Sequence, residues 1–172
     1  MDPAVTDLSV MTKLGVWLAV ALPVAVGMEL WAMFLHGKIW HTWLYGIHKS
    51  HHEPKTGYFE LNDVFSVIHA PIAMAMILYG CLATPGLTRE LLFGFGLGMT
   101  IFGIGYMVVH DGLVHGRLPV TWLTRWAYFR KVRNAHIVHH KNGGAPFGMF
   151  LGPQELKWAK RRSGRSRLRR DL

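Results

Sequence analysis

LGVWLAVALPVAVGMELWAMFLHGKIWH, Leu14 to His41, carries a long apolar run straight into a pair of histidines. A helix needs ~20 apolar residues to cross ~30 Å of hydrocarbon, so Leu14 to Leu35 reads as a membrane span with chemistry at its end. Two more runs of that kind follow, Val64 to Ala83 and Leu91 to Val109, and the last also ends on a histidine, His110. Pro23, Pro71 and the glycines of the third run would break soluble helices but are accommodated in membrane helices. Three buried helices of a soluble domain would need far more chain than 172 residues to cover them. A cleavable signal peptide fits the first run poorly, because the run is long, lacks a strongly basic start and leads directly into Glu29 and the histidines. The expected fold is all-α: an integral membrane bundle of three transmembrane helices, with four as the alternative, carrying a cytoplasmic histidine-rich helical cap.

Charge gives the orientation. The chain is 51% hydrophobic yet carries a net charge of +9, a combination that suits a membrane protein with a basic flank. Before the first span only Lys13 stands against Asp2 and Asp7, whereas everything after Val109 is strongly basic. Lys and Arg stay preferentially on the cytoplasmic side, so the C-terminus is expected there. With three spans, Phe34 to Asp63 and His110 to Leu172 then share the cytoplasmic face, and Thr84 to Glu90 lies on the other. The expected organisation is one membrane domain over residues 1–156 and a disordered basic tail over 157–172 that anchors at anionic headgroups. No folded basic module accompanies that tail, so nucleic acid is not an expected partner. Cys81 stands alone in an apolar run and reads as packing.

Ten of the eleven histidines form four boxes in a repeated order: His36-x4-His41 and His48-x2-His51-His52, then His110-x4-His115 and His136-x2-His139-His140. On an α-helix, residues three and four apart share a face, so each triplet offers three imidazoles to one volume. Pro54 implies a helix that ends just after the first triplet. Five residues on an α-helix rotate a side chain by roughly 140° and raise it by ~7.5 Å. Each x4 box is therefore expected to reach two ions side by side, and ten imidazoles give each ion about five ligands.

Imidazole suits iron, zinc, copper and nickel, and there is no cysteine cluster for an iron–sulfur centre. Structural zinc closes its shell with four ligands, so redox iron fits ten histidines better. Two divalent ions among neutral rings need compensating carboxylates that also orient the imidazoles. Glu53, Glu60, Asp63 and Asp111 are the candidates, with Asp111, directly after His110, the leading one. Surface salt bridges and helix caps are the competing explanation for each. His69 and Glu29 lie inside apolar runs and read as polar pairing within the bundle rather than as catalytic groups.

The boxes with their surroundings, HGKIWH, HKSHHEP, FELNDVF, MVVHDGLVHGRLP and AHIVHHKNGGAPFGMFLGPQEL, closely resemble the bacterial-type β-carotene 3-hydroxylases of the fatty acid hydroxylase and sterol desaturase superfamily. The likeness runs from about Gly27 to Leu156. It implies a membrane non-heme di-iron monooxygenase with two iron ions, replaceable by zinc in a recombinant preparation. It also implies dioxygen as co-substrate and a reduced ferredoxin as electron donor. The implied reaction is hydroxylation at carbon 3 of a β-ionone ring, taking β-carotene through β-cryptoxanthin to zeaxanthin, and ketocarotenoids such as canthaxanthin to astaxanthin. The carotenoid would enter from the bilayer of a bacterial inner membrane. Carried over box by box, one metal takes His41, His48, His51, His110 and His136, and the other His36, His52, His115, His139 and His140.

Gly94, Gly96, Gly98, Gly103 and Gly105 bare one face of the third span, which favours close helix packing over a substrate cleft. Val120 to Phe129, with Trp122, Arg125, Trp126 and Tyr128, reads as an interfacial helix. Rival functions are a fatty acid or sterol hydroxylase, or a carotene ketolase, of the same superfamily. From another class comes a histidine-rich metal-binding or transport protein, whose ligands should lie near mid-span rather than at one membrane face.

Overall fold

The computed structural model describes residues 8–54 and 57–168, with side chains described as far as residue 162. Those residues form α1 (Val10–Phe34), α2 (Tyr45–His52), α3 (Val64–Leu82), α4 (Leu87–Tyr106), α5 (Ala127–Asn142) and α6 (Gly152–Leu168). Two π-helical turns, Leu35–Trp40 and Met107–Val114, continue α1 and α4, and 3-10 turns cover Leu61–Asp63 and Thr121–Arg125. No strand occurs among the described residues. Three continuous helical stretches are long and apolar enough to cross a membrane: Val10–Trp40, Leu61–Leu82 and Leu87–Val114. They match the three apolar runs, and the first and third extend through a π turn to a histidine box.

The chain divides into two compact units. The first holds Met1–Met28 and Asp63–Gly105, so it contains most of α1 with α3 and α4. Here the glycines of α4 permit close helix packing. A Cβ added at Gly94 would meet Val20 Cβ at 2.9 Å, at Gly96 the Ala73 carbonyl oxygen at 2.8 Å, and at Gly98 the Ala21 carbonyl oxygen at 2.6 Å. A Cβ at Gly103 would meet open space. Leu14, Leu18, Leu22 and Val26 recur every fourth residue along α1 and all stay exposed, as a lipid-facing stripe should. Several polar groups of this unit find partners within it. Trp17 Nε1 donates to the buried Glu90 carboxylate at 2.7 Å, and Arg89 Nε to the Gly80 carbonyl at 2.8 Å. His69 Nδ1 donates to the Phe65 carbonyl one turn back, at 3.0 Å.

The second unit holds Glu29–Asn62 and Tyr106–Leu172 and contains all ten box histidines. Its apolar core is Val109, Leu113, Leu123, Val132 and Met149, formed where α5 packs on the second π turn, the 3-10 turn Thr121–Arg125 and α6. Two segments differ from expectation. Val120 to Phe129 is not one helix: the backbone becomes extended at Trp126 (φ −88°, ψ 130°), which separates a 3-10 turn from α5. Trp122, Trp126 and Tyr128 still expose about half their surface, so the stretch keeps its amphipathic character. The basic stretch from residue 157, expected to be disordered, continues α6 as far as Leu168; residues 169–172 lie outside the described residues.

Candidate metal centre

The x4 boxes sit in the π turns, and that changes their geometry. In a π turn the backbone closes from i to i+5. His41 N donates to the His36 carbonyl at 3.1 Å, and His115 N to the His110 carbonyl at 3.0 Å. Residues five apart are therefore brought together rather than splayed. His36 and His41 lie with ring centroids 5.0 Å apart and planes tilted by 40°, and His110 and His115 with centroids 4.6 Å apart and planes tilted by 58°. The triplets remain α-helical, in α2 and α5.

The histidines meet in two sets. His36, His41, His48, His52 and His139 bring ring nitrogens within 4.8 Å of one another, and so do His51, His115, His136 and His140. His110 joins the second set through His51, Nε2 to Nε2 at 3.0 Å. This grouping differs from the one carried over by resemblance, and the reason is the π turns. Each x4 pair serves one set, while the triplets straddle the two: His51 leaves the rest of its box for the second set, and His139 leaves its own for the first.

The ring nitrogens show what such a set is suited to hold. His36 Nδ1 donates to the Phe147 carbonyl at 2.8 Å, and His48 Nδ1 to Asn62 Oδ1 at 2.7 Å. In a neutral imidazole the other nitrogen is then a lone pair, yet the two Nε2 atoms face each other at 3.1 Å. The second set repeats this. His51 Nδ1 donates to Glu60 Oε2 at 3.0 Å and His110 Nδ1 to Asp111 Oδ1 at 2.8 Å, while their Nε2 atoms lie 3.0 Å apart. Opposed lone pairs at that distance repel unless a cation lies between them. Ligands at right angles around an ion ~2.1 Å away are themselves ~3.0 Å apart. The donor set therefore fits a metal ion in each group. His136 Nδ1 is also buried with no hydrogen-bond partner.

Protonation agrees with this. Burial, reinforced by neighbouring histidines, pushes His41 and His139 down to about 4, and His48 and His140 to about 3. Burial also lowers His52, and lowers His51 and His136 far further. All of these rings are neutral near pH 7, the form that binds metal.

Of the four carboxylates singled out, Glu60 and Asp111 contact ring nitrogens. Arg117 also reaches Glu60, Nη2 to Oε1 at 3.2 Å, and stands 4.0 Å from Asp111 Oδ1. Glu53 instead forms an exposed pair with Lys49 at 3.0 Å, and Asp63 falls in the first unit, at the start of α3. Sequence reasoning missed Asn62, two residues from Glu60. It also missed the loop after α5. Gly143, at φ 65°, caps α5 in a left-handed turn, and the next residue's carbonyl accepts from His139 Nδ1 at 2.7 Å. That loop is held by two carboxylates: Glu155 Oε2 accepts from the Phe147 and Gly148 amides at 2.8 and 3.0 Å, and Glu29 Oε1 from the Leu151 amide at 2.8 Å. Glu29 thus supports the loop that orients His36.

A model of the family described as fatty acid hydroxylase matches residues 21–154, a stretch that includes every box. The chain belongs to the fatty acid hydroxylase family. Within it, this family member is 48% identical over 153 residues to beta-carotene 3-hydroxylase 1, chloroplastic, of Arabidopsis thaliana, which covers 88% of this chain and 49% of the relative. It is 50% identical over 141 residues to beta-carotene 3-hydroxylase, chloroplastic, of Gentiana lutea, covering 81% of this chain and 44% of the relative. A bacterial relative, beta-carotene hydroxylase of Pseudescherichia vulneris, is 41% identical over 138 residues, covering 77% of this chain and 76% of the relative. The chain spans about half the length of the plant relatives it matches. No solved structure matches it.

Proposed function

We propose that this chain hydroxylates carotenoids at carbon 3 of the β-ionone ring. On this reading it takes β-carotene through β-cryptoxanthin to zeaxanthin and accepts ketocarotenoids such as canthaxanthin, giving astaxanthin. The observation that carries a metal-dependent reaction is the opposed pair of Nε2 lone pairs in each histidine set, His36 with His48 and His51 with His110. The names of the relatives support the substrate class.

Two irons, once bound and reduced, would supply the activation of dioxygen and the removal of a hydrogen atom from the ring methylene. The protein's own part is positional. The five rings of each set would hold one ion, and Glu60, Asp111, Asn62 and the carbonyls of Gly144 and Phe147 fix the ring tautomers. Substrate enters from the bilayer, because a carotenoid is too apolar to arrive through water. Electrons come from a ferredoxin-type donor. On this reading the histidines and the C-terminus lie on the cytoplasmic side of a bacterial inner membrane, an orientation that the Lys and Arg excess after the third span supports.

Expression in a host that makes only β-carotene tests the reading. Chromatography of the pigments should show β-cryptoxanthin and zeaxanthin, and the purified protein should hold close to two irons per chain. A hydroxylated fatty acid with no oxygenated carotenoid would refute it.

A further inference from the structure

The two histidine sets are near equals in their ligands but not in what stands behind them. In the first set, His36, His48 and His139 donate through Nδ1 to neutral acceptors: the Phe147 carbonyl, the Asn62 amide oxygen and the Gly144 carbonyl. Among the described residues no carboxylate contacts a ring of this set. In the second set, His51 and His110 donate to carboxylates, Glu60 at 3.0 Å and Asp111 at 2.8 Å. Glu60 is itself nearly buried, its side chain 7% exposed. Arg117 takes the other Glu60 oxygen at 3.2 Å, which leaves Oε2 to His51 and fixes the carboxylate in place. The rings of the second set thus lean on two carboxylates, where the Nδ1 atoms of His36, His48 and His139 lean on neutral oxygens.

A carboxylate on the far nitrogen of an imidazole makes the near nitrogen a stronger donor and offsets the charge of the ion. We propose that the two metal sites are therefore unequal: the second set, His51, His110, His115, His136 and His140, takes up its ion first and holds it more tightly. Glu60 and Asp111 act as positioning residues for that site, and Asn62 is their neutral counterpart at the other. The inference rests on the metal-centre reading given above.

Cobalt(II) titration of the metal-free, full-length protein in detergent, with a competing chelator to set the affinity scale, tests both. Two uptake steps at least tenfold apart are expected. Glu60→Gln and Asp111→Asn should each weaken the tighter step by about 10- to 100-fold and leave the looser one in place, whereas Asn62→Ala should weaken only the looser step. A general packing defect would weaken both steps together, so the selective loss distinguishes positioning from structural support. Two equal steps in the unchanged protein would overturn the inference without any variant having to fold. Carboxylate variants that weaken both steps alike, or only the looser one, would overturn it too. Failure of the unchanged protein to bind cobalt would instead refute the metal-centre reading itself, and the inference with it.

Discussion

Glu155 is remote from every histidine in sequence terms, yet its replacement should loosen one metal site and not the other. Its Oε2 accepts two backbone amides, Phe147 at 2.8 Å and Gly148 at 3.0 Å, and the Phe147 carbonyl in turn takes the Nδ1 proton of His36. Glu155→Ala leaves both donors without their acceptor. A hydrogen bond to a charged acceptor contributes ~1.5–3 kcal/mol, and because water reaches part of this loop the lower end applies, about 3 kcal/mol for the pair. For a chain of this size each kcal/mol lowers the thermal midpoint by ~2–4 °C, so a drop of about 6–12 °C is expected in a detergent thermal-shift assay. Glu155→Gln keeps one oxygen as a neutral acceptor and should lose roughly half as much. The local consequence is separable from the global one. A timed chelator challenge at a temperature where both proteins are folded should strip one ion faster from Glu155→Ala and leave the other at its original rate, since only the first set relies on the Phe147 carbonyl. An unchanged midpoint, or equal acceleration of both ions, would show that the loop does not work this way.

Three further outcomes follow from the same geometry. His139→Ala should abolish hydroxylation in the β-carotene-producing host, while His69→Gln, whose Nδ1 donates to its own helix at Phe65 and whose ring belongs to neither histidine set, should retain it; pigment analysis of both strains checks this. Gly98→Ala sets a Cβ at 2.6 Å from the Ala21 carbonyl oxygen, an overpacking that costs ~1–3 kcal/mol, whereas Gly103→Ala meets open space and should leave the thermal midpoint in place. The metal-free protein should lose stability as pH falls below the ordinary histidine value. His41 and His139 are pushed down to about 4 and His48 and His140 to about 3, so between 6.5 and those values the unfolded chain binds more protons than the folded one. The stabilisation is full above pH 6.5 and declines toward pH 3 to 4, as a pH series of thermal midpoints should show; a flat profile over that window would contradict it.

The spans were legible because hydrophobic length is a property of composition, and Leu14 to Leu35 carries a single charged residue, Glu29, in an otherwise apolar run. The ten histidines were legible because their spacing repeats. Their grouping was not, because an α-helical rule was applied to HGKIWH and HDGLVH, and a π turn leaves no mark in residue type that the rule could detect. An i to i+5 turn in each x4 box reversed the answer: each x4 pair falls within one set and the triplets divide. Glu60 and Asp111 announced themselves as charges beside the boxes, but so did Glu53, which turned out to face Lys49 in solvent. Asn62 carries no charge and drew no notice. The Gly144 and Phe147 carbonyls belong to the backbone, which sequence does not display at all. What signal there was lay in Gly143, the glycine that ends α5 and begins that loop.

The crossing of His51 and His139 between sets has a bearing on how the protein is made. By the time the ribosome has placed residue 52, four rings of the first set exist, but the fifth is His139, 87 positions further on and beyond two more spans. The second set likewise borrows His51 from the beginning of the chain. Neither half of the duplicated motif can close a five-ring site alone, so a nascent chain halted after α4 has no finished pocket in which to trap a redox-active ion. Each ion, once in place, also fastens early sequence to late sequence, and clips that close long loops restrict the unfolded chain most. On the proposed metal reading, completing either five-ring site would then be a late step in biogenesis, waiting on the synthesis and docking of the second histidine triplet.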